Sequence, residues 1–176
     1  AVVVPQYWHW DAYPTRDFSS WERLLTQARV LSMYLGQIVL PLPSHMPFHY
    51  DGLVPSRGLL QPWTTLPSLL LVFGLLGAAW WLRRRRPLFA LGVLLFFAGH
   101  FITSNVVGLE LAFEHRNHFP LIGAVLALGD LLSAAAARLR LSPRSAIAAC
   151  TLLLAALGGT TLVRANTWGS PLGFAQ

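Results

Sequence analysis

The sequence predicts an all-α membrane protein with about four transmembrane helices and one amphipathic helix at the interface. Apolar residues make up 55% of the 176-residue chain and charged residues only 11%, whereas a soluble globular domain carries about 25% charged residues. The mean hydropathy of +0.52 agrees with lipid as the solvent of much of the surface. The basic residues, all arginine, cluster beside apolar stretches, which is typical of membrane orientation signals and not of a nucleic-acid-binding surface.

Residues 1–19 are predicted to form an external aromatic loop. Trp8, Trp10 and Tyr13 are of the type that gathers at the membrane–water boundary, because an apolar ring and a polar NH or OH suit both phases. The first residue is Ala1, and no basic stretch precedes an apolar one, so a signal peptide is not indicated. We therefore expect the chain to begin within a longer protein or to have been processed.

Residues 20–40 are predicted to form an amphipathic juxtamembrane helix. Ser19 and Glu22 have the spacing of a capping box at its start, and Pro41 marks its end. One face is apolar and comprises Trp21, Leu24, Leu25, Ala28, Leu31 and Leu35, and the other is polar and comprises Glu22, Arg23, Thr26, Gln27 and Arg29. The first half is too polar to span, so the helix either lies flat in the interface or packs against the spans. Residues 41–63, rich in Pro, Gly and aromatic residues, form a predicted external loop.

Residues 64–168 are predicted to form a four-span transmembrane bundle. The spans are residues 64–82, 87–105, 120–137 and 145–163. Each is close to the roughly 20 residues that cross a hydrocarbon core of about 30 Å. The first and third spans are followed by arginines, at Arg83–Arg86 and at Arg138 and Arg140. The positive-inside rule puts those turns in the cytoplasm and places outside the N-terminal region, residues 41–63, residues 106–119 and the tail 169–176.

The densest chemistry in the sequence lies between the second and third spans, at Glu110, Glu114, Arg116, Asn117 and His118. On a helix, Glu114 would share a face with both Glu110 and His118. A glutamate–arginine pair can hold a phosphate or a metal-bound phosphate, because the planar guanidinium donates two parallel hydrogen bonds. The alternative is a solvated external loop with local salt bridges, and the residues alone leave both interpretations open.

Two cofactor hypotheses follow from the histidines and carboxylates. Two carboxylates and two histidines of this cluster could bind a divalent metal, although their spacing matches no standard zinc motif. His100, near the end of the second span, could ligate a haem or a chlorophyll, or could be a hydrogen-bonded packing residue.

Three further residue types inside the spans carry expectations. Asp130 is costly in lipid unless it is paired, so we expect a partner, an arginine or histidine from the external loops. The one cysteine, Cys150, is interpreted as a core or lipid-facing residue. The small residues Gly74, Gly77 and Ala78 would let a neighbouring helix approach closely.

Three stretches resemble a known family: FEHRNHFP at 113–120, RDFSSWERLLTQARVL at 16–31 and QPWTTLP at 61–67. Together they resemble bacterial membrane proteins with C-terminal tetratricopeptide repeats, which are similar to the transmembrane-and-TPR O-mannosyltransferases. The wider group is the GT-C glycosyltransferases, which take a sugar from a polyprenyl-phosphate carrier on the outer or luminal face. The resemblance covers most of residues 16–168 and implies a location in the bacterial inner membrane.

The resemblance also implies roles for single residues. Glu114 and Arg116 match the acidic–basic pair that lies near the lipid-phosphate headgroup, and Asn117 and His118 would line the same pocket. The helix at 20–40 would lie along the membrane, and Arg164 and Trp168 would mark the exit toward the repeats.

The chain departs from the family in two ways. It contains no counterpart of the first external loop that carries the catalytic acid in GT-C enzymes, and it stops at Gln176, where repeats would begin. It therefore resembles the C-terminal membrane portion of such a glycosyltransferase. The alternative is a non-catalytic accessory subunit of a larger respiratory or photosynthetic membrane complex.

Overall fold

A computed structural model describes residues 8–168, apart from 12, 14–15, 43–49, 51 and 102. The side chains of residues 114, 164, 167 and 168 are also outside the description, as are the predicted loop at 1–7 and the tail at 169–176. The described helices are α1 (Ser20–Val39), α2 (Thr65–Leu82), α3 (Pro87–His100), α4 (His118–Arg138) and α5 (Pro143–Trp168), with a 3₁₀ turn at Glu114–Asn117. The predicted all-α membrane fold is confirmed.

Helices α2, α4 and α5 are long and apolar enough to cross a membrane, with mean hydropathies of 1.8, 1.8 and 2.0 over their best windows. Helix α3 has only 14 residues, a length of about 21 Å at 1.5 Å per residue. The predicted second span, 87–105, is therefore wrong at its end, because the helix stops at His100. The amides of Thr103 and Ser104 both bond to the His100 carbonyl, which turns the chain out of the helix.

Helix α1 begins at the predicted capping box. The Ser19 hydroxyl accepts from the Glu22 amide at 3.3 Å, and the Glu22 carboxylate accepts from the Ser19 amide at 2.8 Å. The helix packs against α2, and much of its polar face is buried. Arg23 and Gln27 have 0% and 2% of their surface exposed, whereas Trp21, on the apolar face, is 55% exposed. The buried polar side chains have backbone partners in the segment after α3, which the helical pattern does not reveal.

Helices α3 and α4 pack so closely that their backbones touch at glycines. A Cβ built on Gly92 would lie 2.5 Å from the Gly123 carbonyl oxygen, and one on Gly123 would lie 2.5 Å from the Gly92 carbonyl oxygen. Small residues permit this approach, which supplies dispersion contacts that lipid cannot. The close approach is thus at these glycines and not at Gly74 and Gly77, where a Cβ would meet nothing within 4 Å.

Helix α5 differs from the other helices in its surroundings. No residue of the apolar stretch Pro143–Val163 is buried inside the molecule. Among the described residues, α5 makes no more than marginal contact with the other helices. Cys150 is exposed on this helix, which agrees with a lipid-facing position. Its apolar surface is therefore left to lipid or to a partner.

Candidate functional site

One end of the bundle gathers the described residues of 8–20, 52–63 and 101–118, and we call it the loop end. The opposite end, which we call the arginine end, carries Arg83–Arg86, Arg138, Arg140 and Arg144. At the loop end the non-helical segment 101–113 lies along α1. Non-helical backbone in a membrane protein needs internal partners for its polar groups.

Arg23 of α1 supplies several of those partners. Its Nε donates to the Asn105 carbonyl at 2.8 Å, and its Nη2 donates to the Thr103 carbonyl at 3.3 Å. Its Nη1 donates to the carbonyl of Leu109. One buried guanidinium thus bonds three carbonyls of the segment that follows α3.

Gln27 and Tyr34 continue the same row of side chains on α1. Gln27 Nε2 donates to the Leu111 carbonyl at 2.9 Å. The Tyr34 hydroxyl donates to the Phe113 carbonyl at 2.9 Å and accepts from the Phe113 amide at 2.7 Å. Together with Arg23, these side chains fix the path of segment 101–113 up to the 3₁₀ turn.

Burial is the main influence on Arg23 and lowers the pKa of its guanidinium to about 10. Arg116 and Arg16 lower the Arg23 pKa further, whereas Tyr13 and Glu110 act to raise it. Arg23 remains a cation at neutral pH. The sequence did not single it out as a site residue, although its four-residue spacing from Gln27 was a signal of a polar row.

The loop end brings two of the predicted site residues together, though not as an ion pair. The Arg116 Nη1 donates to the Glu110 backbone carbonyl, and its guanidinium lies 5.1 Å from the centre of the Phe113 ring. The Glu110 carboxylate is instead paired with Arg16, and 49% of the Glu110 side chain is exposed. Arg116 is half-buried at the surface of the loop end.

Asn117 and His118 point in different directions. The Asn117 Oδ1 lies 3.0 Å from His100 Nε2, while the exposed His118 bonds through Nδ1 to the His115 carbonyl at 2.7 Å. The side chain of Glu114 lies outside the described residues. The proposed pocket role of these residues therefore stays a prediction.

His100 is 1% exposed and packs between two aromatic rings. It stacks on Tyr34, with ring centroids 5.3 Å apart, and meets Phe96 edge-on at 4.9 Å. Its Nδ1 has no hydrogen-bond partner among the described residues. With Nε2 bonded to Asn117, the geometry is that of a packed, hydrogen-bonded histidine that anchors the 3₁₀ turn. In the part of the chain that the structure describes, no three His, Cys, Asp or Glu side chains are grouped for a metal.

Asp130 has a partner, but from the other end of the molecule than expected. Its carboxylate lies 3.3 Å from the Nη1 of Arg86, which also donates to the Asp130 carbonyl. The expectation of an external-loop partner is therefore wrong. Because α3 and α4 run antiparallel, Arg86, at the start of α3, lies beside the second half of α4.

Arg57 ties the segment before α2 to the start of α1. It pairs with Asp17 at 2.8 Å and with Glu22 at 3.2 Å. The burial of Glu22 acts to raise the pKa of its carboxyl, but bonds from Ser19 and from Arg57 outweigh burial and leave the pKa below its ordinary value. The charges of this part of the loop end are thus compensated.

Comparison with family models, with curated proteins and with solved structures gives no match for this chain. The resemblance to tetratricopeptide-containing glycosyltransferases therefore stays a prediction from sequence motifs. The geometry of the loop end is the independent observation on which a function can be based.

Proposed function

We propose that this chain is the membrane part of a polyprenyl-phosphate-dependent, GT-C-like glycosyltransferase, and that its loop end binds the phosphate headgroup of the sugar donor. The observation that supports this is the position of three arginines beside the segment that follows α3: Arg16 pairs with the Glu110 carboxylate, Arg23 bonds three backbone carbonyls, and Arg116 bonds the Glu110 carbonyl. The excess of guanidinium over carboxylate among these side chains favours an anion.

The three arginines have different tasks. Arg23 is occupied by backbone carbonyls, and Arg16 is paired with Glu110. The Arg116 guanidinium has one hydrogen bond, to the Glu110 carbonyl, with the residues that the structure describes. Its remaining donors suit a phosphate oxygen, and the Phe113 ring beneath it limits the directions in which the guanidinium can turn. Arg116 is therefore our candidate for the phosphate ligand.

The proposal includes an orientation. The arginine end would face the cytoplasm, and the loop end, with both ends of this chain, would face the periplasm of a bacterial inner membrane. A polyprenyl-phosphate sugar donor displayed on the outer leaflet would then reach Arg116 directly.

The test is binding of a polyprenyl phosphate to the purified protein in nanodiscs, with the uncharged polyprenol as the reference ligand. We expect Arg116→Ala to weaken phosphate binding on the order of tenfold, as for loss of a charge-assisted hydrogen bond. Arg144→Ala, at the arginine end, is the matched control and should leave binding unchanged. Equal affinity of the Arg116→Ala variant and the unaltered protein would refute the headgroup site.

A second function, accessory subunit of a larger membrane complex, is favoured by α5 alone. An apolar helix with little contact inside the molecule has a whole surface available for a neighbouring subunit. Purification in a mild detergent tests this. A defined complex that dissociates when bulky residues replace Gly158 and Gly159 would support it, and a monomer free of pigment would count against it.

A further inference from the structure

A half-open cleft of about 400 Å³ lies between α1, α2, α3 and α4. Its lining is almost entirely apolar and includes Leu35, Leu71, Phe96 and Leu128. The volume is in the range of small-molecule sites, about 300–1,000 Å³. Because the lining offers almost no hydrogen-bonding group, the cleft suits a hydrocarbon chain better than a polar ligand.

The cleft reaches the arginine end. Phe89 and Leu131 line it there. Leu131 directly follows Asp130, whose carboxylate is paired with Arg86 at 3.3 Å. The cleft therefore ends within about one helical turn of the arginine turn, Arg83–Arg86.

The arginine end is strongly and unevenly charged. It holds seven of the 13 arginines and, in Asp130, one of the seven carboxylates, so that the net charge of +6 resides there. Asp130 engages Arg86, and the Arg83 guanidinium lies 3.9 Å from the centre of the Trp80 ring. Arg84 and Arg85 are exposed and make no ion pair with a described carboxylate.

We propose that the cleft and the arginine turn together form a binding site for one anionic phospholipid. Its acyl chain lies in the cleft, and Arg84 and Arg85 bind its phosphate. Charge complementarity selects this occupant, because the ammonium of a zwitterionic lipid would be repelled by the excess of guanidinium groups. Trp80 and Trp81 are 68% and 77% exposed beside the turn, as expected at a lipid headgroup and not at a nucleic acid.

This proposal does not depend on the glycosyltransferase function, because the phosphate is bound at the end of the molecule opposite Arg116. The test is native mass spectrometry of the purified protein after exchange into detergent with equal amounts of phosphatidylglycerol and phosphatidylcholine. The unaltered protein should retain one phosphatidylglycerol in preference to phosphatidylcholine. The double variant Arg84→Gln/Arg85→Gln should lower that preference on the order of tenfold.

A second pair of variants tests the cleft. Gly36 lines it, and a Cβ there would meet nothing within 4 Å, so that Gly36→Phe or the smaller Gly36→Leu fills the space without a backbone clash. Both should reduce retention of either lipid. Gly77→Phe, at an equally open glycine outside the cleft lining, is the control and should retain lipid as before.

Four results would overturn the proposal. The first is an undiminished preference for phosphatidylglycerol in the Arg84→Gln/Arg85→Gln variant. The second is full lipid retention in Gly36→Phe and Gly36→Leu, both with a folded helical spectrum. The third is displacement of the bound lipid by polyprenyl phosphate, which would assign the cleft to the carrier. The fourth is binding of RNA in place of lipid at the arginine turn.

Discussion

Helices α3 and α4 are held together through their backbones, whereas α1 and segment 101–113 are held together by side chains. At Gly92 and Gly123 the two helix backbones approach so closely that a Cβ would lie 2.5 Å from backbone atoms. Along α1, Arg23, Gln27 and Tyr34 reach across to backbone carbonyls and one backbone amide. Apolar contact alone gains little in lipid, so association needs close packing or polar bonds. Close packing holds α3 to α4, and polar bonds hold α1 to segment 101–113. Substitutions that disrupt only one of these two kinds of contact can therefore measure each contribution by itself.

The largest effect is expected for Arg23→Met, which keeps much of the side-chain volume but leaves the carbonyls of Thr103, Asn105 and Leu109 without their donor. One unsatisfied buried acceptor costs about 1–3 kcal/mol, and these three carbonyls are only partly buried, so we expect a loss of folding stability of about 3 kcal/mol in detergent. Thermal unfolding followed by circular dichroism measures it. Arg29→Met, at a half-buried arginine of the same helix that bonds the Val54 carbonyl and the Ser56 hydroxyl, is the control and should cost much less.

Gly123→Ala should cause the next largest loss of folding stability. The new methyl group would overlap backbone atoms of α3, which cannot move away as a side chain can, and overpacking of this kind costs about 1–3 kcal/mol. Thermal unfolding followed by circular dichroism measures this loss as well. Gly129→Ala lies on the same helix in open space, so it should be neutral or slightly stabilising through helix propensity. Equal behaviour of the two variants would show that backbone approach does not hold α3 to α4.

Tyr34→Phe removes a single hydroxyl, which donates to the backbone carbonyl of Phe113 and accepts from its backbone amide. We expect a loss of about 1–2 kcal/mol and, in addition, faster hydrogen exchange confined to residues near the 3₁₀ turn. Exchange measured by mass spectrometry separates this local effect from a general destabilisation. Tyr50→Phe serves as a comparison, because the Tyr50 hydroxyl accepts from Gln37 Nε2 at 3.1 Å, one helical turn further along α1.

The smallest effect concerns Glu22, whose ion pair with Arg57 is partly exposed. Because folding lowers the pKa of this carboxyl, the ionised form stabilises the fold above the unfolded-state pKa, and the stabilisation is lost as the pH falls through the folded-state value, below 4.5. Glu22→Gln should therefore melt earlier than the unaltered protein at neutral pH, and the difference should vanish in acid. A difference that grows in acid would contradict the assignment.

Much of the fold follows from local sequence. The capping box at Ser19 and Glu22 located the start of α1, and apolar runs located α2, α4 and α5. The end of α3 could not be predicted, because residues 101–105 carry no charge and contain neither a glycine nor a proline that would end a helix. Their departure from the helix depends on Arg23, which is about 80 residues away in the chain.

For the candidate site, the sequence predicts which residues are present but not which side chains they contact. The sequence marked Glu110, Arg116 and Asn117 but not their neighbours, since the pairing of Asn117 with His100 and of Glu110 with Arg16 depends on how separate elements pack. For the same reason the partner of Asp130 was misplaced, because the antiparallel pairing of α3 and α4 had to be known first.

The central claim is that the loop end and the arginine end lie on opposite sides of the membrane, and single-cysteine labelling tests it most directly. In a Cys150→Ser background, Leu109→Cys places a thiol at the loop end and Arg84→Cys places one at the arginine end. With a membrane-impermeant maleimide we expect the first variant to react in intact cells with a permeabilised outer membrane, and the second only after the inner membrane is also disrupted. Reaction of both thiols from the same side would contradict the topology and, with it, the proposed headgroup site.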